Sequence, residues 1–283
     1  MYVPKGGVVF FDSGIGGLTV LAECKKRLPN ATYYYYGDNA RAPYGNLSSG
    51  QIERYVFEIF ESLECLQPSA AVIACNTVTA LCVESLRKKY PFPIIGAEPA
   101  VFSAAKGGGE IFVLATKATC QSERFRRLCE RAKEKYPNAE IRPFACELLA
   151  GTIEKHLTDP GFDFSPLFPK GKPASVVLGC THYVFIKEQM QAFYGAPIYD
   201  GNAGMANRLC DFVDNFPNPL YGLNCGEPVW VGESGRINRD QRPLLTTSLF
   251  HTPIYFLGSE KESNQRIFEQ TFAKLGDKRD FSG

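Results

Sequence analysis

The chain has 283 residues, of which 45% are hydrophobic, and its 31 basic and 30 acidic residues leave a formal net charge of +1. This length accommodates about two domains, and the balanced charge provides no extended field that would attract nucleic acid or anionic lipid. The longest apolar runs are strand-sized and too short to span a bilayer, and a strand expected from Val8 leaves no room for a signal peptide, so we expect a cytoplasmic protein without a membrane partner.

Runs of β-prone residues alternate with helix-forming stretches along most of the chain. Strands are predicted, in chain order, at residues 8–11, 32–36, 70–74, 93–96, 111–114, 141–144, 175–178 and 197–199. Helices are predicted between them, for example over about 18–27, from about 49 to 66, and after the strand at 70–74 through residue 88. This alternation favours an α/β fold with mainly parallel sheets flanked by helices.

The order of these elements looks duplicated. Three pairs of segments have nearly the same spacing along the chain: residues 10–12 and 114–116, Cys75 and Cys180, and residues 93–94 and 197–198. We therefore predict two similar α/β domains with the active site in the cleft between them. The first comprises residues 1–97 together with about 208–283, and the second comprises residues 98–207.

The C-terminal part of the chain has a different character. Residues 216–241 are rich in Pro, Gly and Asn and indicate turns and loop, with short strands possible at 229–231 and 254–257. Phe268, Phe272 and Leu275 then recur at helical spacing before Gly276, which predicts an amphipathic terminal helix that packs on the body of the protein.

A glycine-rich loop, residues 12–17, follows the first strand and opens the first helix. Its sequence, Asp-Ser-Gly-Ile-Gly-Gly, could bind an anion through free backbone amides, either a dinucleotide or a small carboxylate. The dinucleotide interpretation is disfavoured because Thr19 stands where the third glycine of Gly-x-Gly-x-x-Gly is needed. The plainest alternative is a tight turn with a helix-capping Ser or Asp.

A second loop follows the second predicted strand. Its Pro43-Tyr44-Gly45 segment indicates a rigid turn that could offer backbone hydrogen bonds to a ligand, although an ordinary surface turn has the same pattern.

Two cysteines stand at the ends of buried strands in equivalent positions of the two predicted domains. Cys75 is followed by Asn76 and Thr77, and Cys180 by Thr181 and His182. In parallel sheets, ligands bind beyond the carboxyl ends of the strands, so both thiols are expected to line one cleft. No Cys-x-x-Cys pair is present, so we expect reduced thiols and no zinc site.

Such a pair suits the inversion of a stereocentre, which needs a base on one face of a carbon and an acid on the other. A free thiol has a pKa of roughly 8.5, so each cysteine needs help to form a thiolate at neutral pH. Asp12 is a candidate helper for Cys75. His182 and Glu147, the latter at the start of a predicted helix, are candidate helpers for Cys180.

The motifs together resemble those of the glutamate racemases, within the cofactor-independent aspartate/glutamate racemase family. The resemblance is carried, in the family's order, by residues 11–18, 37–38 with 43–45, 74–77, 116–122 and 179–183. It implies interconversion of L- and D-glutamate without pyridoxal phosphate, metal or nucleotide, to supply D-glutamate for peptidoglycan. It also implies that Cys75 and Cys180 are the acid/base thiols and that Asp12, Glu147 and His182 assist them.

The resemblance further implies a shell of substrate-binding residues: Asp12, Ser13, Pro43, Tyr44, Gly45, Asn76, Thr77, Thr119, Thr181 and His182. No cofactor is expected, glutamate is the expected partner, and a homodimer is possible.

Three alternatives stay open at this point. The nearest is an aspartate or related amino-acid racemase of the same group, which turnover assays would distinguish. A non-catalytic amino-acid-binding protein would not need paired thiols. A thiol hydrolase using one cysteine with His182 would leave the second cysteine unexplained.

Overall fold

The structure, a computed structural model, describes residues 2–3, 6–215, 229–230, 254–258 and 260–276. Most of the predicted loop at 216–241 lies outside the described residues. Within it, Val229–Trp230 forms a short strand (β10) that pairs in antiparallel fashion with Tyr2–Val3 (β1).

A first sheet of five parallel strands has the order β11-β3-β2-β4-β5. Its strands are β2 (Val8–Asp12), β3 (Tyr33–Gly37), β4 (Ala70–Ile73), β5 (Ile94–Gly96) and β11 (Ile254–Leu257). The C-terminal strand β11 therefore returns to the sheet that the first residues of the chain build.

A second sheet of four parallel strands has the order β7-β6-β8-β9. Its strands are β6 (Gly109–Ala115), β7 (Ala139–Ala145), β8 (Ser175–Gly179) and β9 (Ile198–Tyr199). The predicted α/β fold of two similar units with parallel sheets is confirmed.

Ten α-helices are described. They are α1 (Gly17–Arg27), α2 (Ser49–Leu63), α3 (Asn76–Lys89), α4 (Val101–Ala105), α5 (Lys117–Gln121), α6 (Glu123–Lys135), α7 (Leu149–His156), α8 (Lys187–Tyr194), α9 (Asn202–Asn215) and α10 (Lys261–Gly276). No helix in the described part of the chain is long and apolar enough to cross a membrane.

Local sequence explains how helix α2 begins and which face it buries. The Ser48 hydroxyl accepts from the Gln51 amide, and the Gln51 side chain accepts from the Ser48 amide, which together form a capping box. Ile52, Val56 and Ile59 follow at helical spacing and are buried in the core beneath the first sheet.

The strands of the first sheet are buried on both faces because helices cover both. Val9 and Phe11 point into the core under α2 and α3, whereas Val8 and Phe10 point into the core under α1, α9 and α10. This arrangement follows from the alternation of side chains along a strand, and it explains why β2 is uniformly apolar until Asp12.

The chain crosses from one sheet to the other twice, near residue 98 and near residue 201. These two connecting segments contact each other. A Cβ on Gly201 would lie 2.8 Å from the carbonyl oxygen of Glu98. Arg208 donates to the carbonyl of Gly96 at 3.3 Å and pairs with the Glu98 carboxylate at 3.6 Å. Met205, already on α9, packs in the core of the first sheet. The division at residues 97 and 208 stays a prediction.

Candidate active site

The carboxyl ends of four strands from the two sheets converge. Asp12 ends β2, Cys75 follows β4, Thr116 follows β6 and Cys180 follows β8, and all four side chains are buried. Two hydrogen bonds cross between the sheets here. One joins the hydroxyls of Thr77 and Thr116 at 2.8 Å, and the Thr181 hydroxyl donates the other to Asp12 at 3.3 Å.

The glycine-rich loop folds around the carboxylate of Asp12. The backbone amides of Ser13, at 2.9 Å, and of Gly17 both donate to it, so the carboxylate occupies the amino end of helix α1. The side chain of Asp12 thus engages two of the backbone amides that the loop offers. Burial raises the pKa of Asp12, although the charge of His182 and the two amides oppose that rise.

Cys75 lies at the amino end of helix α3, and its Sγ is 3.3 Å from the hydroxyl oxygen of Ser13. Burial, with the negative charge of Asp12 as the next cause, raises the pKa of this thiol to about 12, while the Ser13 hydroxyl and the Val78 amide oppose the rise. A charge on Cys180 is a further, smaller cause of the increase. Cys75 is therefore a neutral thiol at pH 7.

Cys180 has a different environment, because a buried histidine lies beside it. The Sγ of Cys180 is 3.8 Å from Nδ1 of His182, and Nε2 of His182 donates to Oε1 of Glu154 at 2.7 Å. Burial opposes a charge on His182, but Cys180 and Glu154 outweigh it, so its pKa lies well above the ordinary value. A protonated His182 stabilises a thiolate on Cys180.

The carboxylate that contacts His182 is that of Glu154, which was not among the predicted site residues. The predicted helper, Glu147, is instead half-exposed and pairs with Nζ of Lys117 at 3.4 Å. A signal for Glu154 does exist in the sequence. It stands four residues after Ala150 on helix α7 and therefore shares the helix face that is buried toward the cleft.

Most of the other predicted residues gather around the same strand ends. Thr119 accepts from the Thr116 hydroxyl at 2.9 Å and extends the hydroxyl chain that begins at Thr77. Asn76 is buried, and its amide oxygen has no hydrogen-bond partner among the residues that the structure describes. A ligand with a donor group can satisfy that oxygen.

The turn Pro43-Tyr44-Gly45 faces the second sheet. A Cβ on Gly45 would lie 3.5 Å from the Thr116 side chain. The buried Tyr44 hydroxyl donates to Asp38 at 2.5 Å, and Arg41 donates to the same carboxylate at 3.0 Å. Asp38 thus holds the turn at the mouth of the cleft.

Two further findings bear on the chemistry available. All nine cysteines in the described residues are free thiols. Within those same residues, no group of three His, Cys, Asp or Glu side chains is arranged to hold a metal ion. The arrangement present is a pair of buried thiols with unequal helpers, surrounded by neutral hydrogen-bonding groups.

Comparison with known proteins agrees with this geometry. The family model described as Asp/Glu/Hydantoin racemase matches residues 19–209. The chain is 37% identical over 219 residues to a glutamate racemase of Clostridium botulinum, covering 74% of this chain and 84% of the relative. It is 39% identical over 211 residues to a glutamate racemase of Clostridium perfringens, covering 71% and 80%.

Solved structures give the same result. The Escherichia coli glutamate racemase, solved with L-glutamate and the activator UDP-MurNAc-Ala, aligns over 95% of this chain and 96% of its own, with a TM-score of 0.71 and 25% identity. A glutamate racemase from Bacillus anthracis aligns over 78% and 86%, with a TM-score of 0.65 and 28% identity. With the matched family model spanning both sheets, this chain belongs to the Asp/Glu/hydantoin racemase family.

Proposed function

We propose that the protein interconverts L- and D-glutamate by two-base proton transfer between Cys75 and Cys180. The observation that carries the proposal is the pair of buried thiols at equivalent strand ends, one beside Asp12 and Ser13 and the other beside His182. Binding alone requires no thiols, and a one-cysteine hydrolase would not use the second.

The two thiols have different surroundings, and these assign their roles in each direction of the reaction. Cys75 is the proton donor in one direction, because burial raises the pKa of its thiol to about 12. Cys180 is the base in that direction, because its Sγ lies 3.8 Å from Nδ1 of the protonated His182. Sγ of Cys180 removes the α-proton from one face of the substrate carbon. The S–H of Cys75 then gives its proton to the opposite face. The reaction ends with a thiol at Cys180 and a thiolate at Cys75, and the reverse direction exchanges the roles.

The remaining residues stabilise the carbanion and hold the substrate. Developing negative charge on the substrate carboxylate needs preorganised donors in a dry site, where each is worth several kcal/mol. The hydroxyls of Thr77, Thr116 and Thr181 supply neutral donors at the junction of the two sheets. The unpartnered amide oxygen of Asn76 and the carboxylate of Asp12 can accept from the substrate ammonium.

The proposal also covers role and location. D-Glutamate made in this way serves as a precursor of peptidoglycan. The reaction depends on reduced thiols at Cys75 and Cys180, which are maintained in the cytoplasm rather than outside the cell. Cell fractionation followed by a racemisation assay on each fraction tests the location.

Circular dichroism of L-glutamate and of D-glutamate incubated with the pure protein tests the reaction. Both signals should decay to zero, and in deuterated water the product α-carbon should carry deuterium. Parallel incubations with L- and D-aspartate decide between glutamate and aspartate as substrate. A stable optical signal with glutamate, or a product without deuterium, contradicts the proposal.

A further inference from the structure

The glycine-rich loop of the first domain has a second face, which touches the second domain. A Cβ built on Gly14 would collide with Oε1 of Glu154 and would lie 3.2 Å from Nε2 of His182. These two atoms are the acceptor and donor of the hydrogen bond that supports His182. The loop therefore packs against the histidine–carboxylate pair itself.

We propose that Gly14 is a positioning residue, whose missing side chain lets Glu154 keep its hydrogen bond to His182 when the two domains meet. The inference deepens the proposed function and rests on it for its effect on turnover. Gly14 itself contacts no reacting atom in this role, since it acts through Glu154 and His182.

The backbone at Gly14 does not require glycine for its conformation. Gly14 is not among the residues with a positive φ, so alanine can adopt the same backbone geometry. Its carbonyl accepts from the Tyr35 hydroxyl at 2.7 Å, and alanine retains that carbonyl. The requirement for glycine at this position thus comes from the space that Glu154 occupies.

A substitution at Gly14 should leave the fold intact and still displace Glu154. The obstructed atom is the end of a flexible side chain that is 24% exposed, so it can rotate toward solvent at little cost in stability. Gly16 differs, because a Cβ there would lie 2.8 Å from the backbone nitrogen of His182, and only a backbone shift could relieve that contact. Gly14 is therefore the better position for a test, because its substitution displaces a side chain and not the backbone.

Removal of the carboxylate from His182 affects the Cys180 side of the site first. The ionisable groups that face the His182 ring are Cys180, Glu154 and Asp12. If Glu154 moves away, the imidazole loses its acceptor at Nε2 and is free to rotate away from Cys180. A misplacement of about 1 Å in such a group can lower the rate about 100-fold.

The experiment is a double-mutant cycle on the full chain, with racemisation of glutamate as the measurement. Gly14→Ala should lower kcat/KM about 10- to 100-fold while the thermal transition stays close to that of the wild type. In the Glu154→Ala background, Gly14→Ala has no carboxylate to displace, so it should change kcat/KM by no more than about twofold. Gly50→Ala is the matched control, because a Cβ there meets nothing within 4 Å.

A second measurement does not depend on turnover. The chain has three histidines, so NMR titration of isotopically labelled histidine, assigned with His156→Gln and His251→Gln, follows His182 directly. Gly14→Ala should lower the pKa of His182 toward its value in Glu154→Ala. If the wild type fails to racemise any amino acid, the proposed function is wrong, and the NMR result still decides the role of Gly14.

Two results would overturn the inference. One is a Gly14→Ala protein with wild-type turnover and an unchanged His182 titration. The other is an equal loss of activity in the wild-type and Glu154→Ala backgrounds, which would mean that alanine distorts the loop without acting through the carboxylate.

Discussion

The hydroxyl of Thr77, on the first helix after Cys75, lies 2.8 Å from the hydroxyl of Thr116, at the end of a strand in the other sheet. Thr116 in turn donates to Thr119 at 2.9 Å. This chain of hydroxyls joins the two domains at the proposed substrate site. A substrate carboxylate that replaces the direct contact would be bound by both domains at once.

Thr77→Val should therefore weaken substrate binding. The change keeps the side-chain shape but removes one donor to a charged group, which corresponds to about a 10- to 100-fold loss in kcat/KM, mostly through KM. Initial rates over a range of glutamate concentrations measure this. Thr152→Val is the control, because its hydroxyl donates to the carbonyl of Leu148, the residue before helix α7. An unchanged KM in Thr77→Val would exclude Thr77 from the substrate shell.

Cys75→Ala and Cys180→Ala should each abolish racemisation, since one proton-transfer group is then missing from one face of the carbon. We expect a loss of at least about 100-fold in kcat/KM, equal in both directions because the enantiomers have equal free energy. Polarimetric rates from each enantiomer measure it. Cys65→Ala, which removes a thiol outside the site, should stay active. Near-normal turnover in either site variant would refute the two-base mechanism.

Glu154→Gln and Glu147→Gln distinguish the observed helper from the predicted one. Glu154→Gln removes the negative charge beside His182, so the pKa of His182 should fall and kcat/KM should drop about 10-fold or more. Glu147→Gln removes only an exposed pair with Lys117 and should change neither quantity. Assays and histidine NMR on both variants decide the question. The reverse ranking of the two variants would restore Glu147 to the site.

His182 should make stability depend on pH. Its folded pKa lies well above the ordinary value, so its stabilising contribution is complete below about pH 6.5 and is lost as the pH rises through the raised pKa. Denaturant titrations across this range should show that decline in the wild type and a smaller decline in Glu154→Gln. An identical pH dependence in both proteins would contradict the pairing.

The buried carboxylate of Asp12 should lower the free energy of unfolding of the protein, although the proposed reaction needs it. Because burial raises its folded pKa, its charge destabilises the native state increasingly as the pH rises above about 4, the ordinary value of an aspartate. The free energy of unfolding of Asp12→Asn, relative to wild type, should therefore improve over this range, while racemisation falls about 100-fold. A relative stability that does not change with pH would argue against the raised pKa.

Much of the fold follows from local patterns in the sequence. Runs such as 8–11 and 176–178 are apolar throughout, which is the pattern of a strand covered on both faces, and both lie in strands of parallel sheets. The placement of Cys75 and Cys180 also needed no coordinates, because a polar or reactive residue directly after such a strand reaches the edge where ligands bind. The family resemblance depended on these same short motifs.

The partner of His182 could not be chosen by such local rules. Glu147 precedes helix α7 and Glu154 lies in its last turn, and only the packing of α7 beside the segment that carries His182 decides which carboxylate reaches the imidazole. The role of Gly14 is also a tertiary property, since its neighbours Glu154 and His182 belong to distant segments. The sequence by itself determined the strands, the thiols at their ends and the family. The tertiary structure decided which charged groups lie beside those thiols, because contacts between segments that are distant in the chain depend on how rigid elements pack and not on the residues next to them in the sequence.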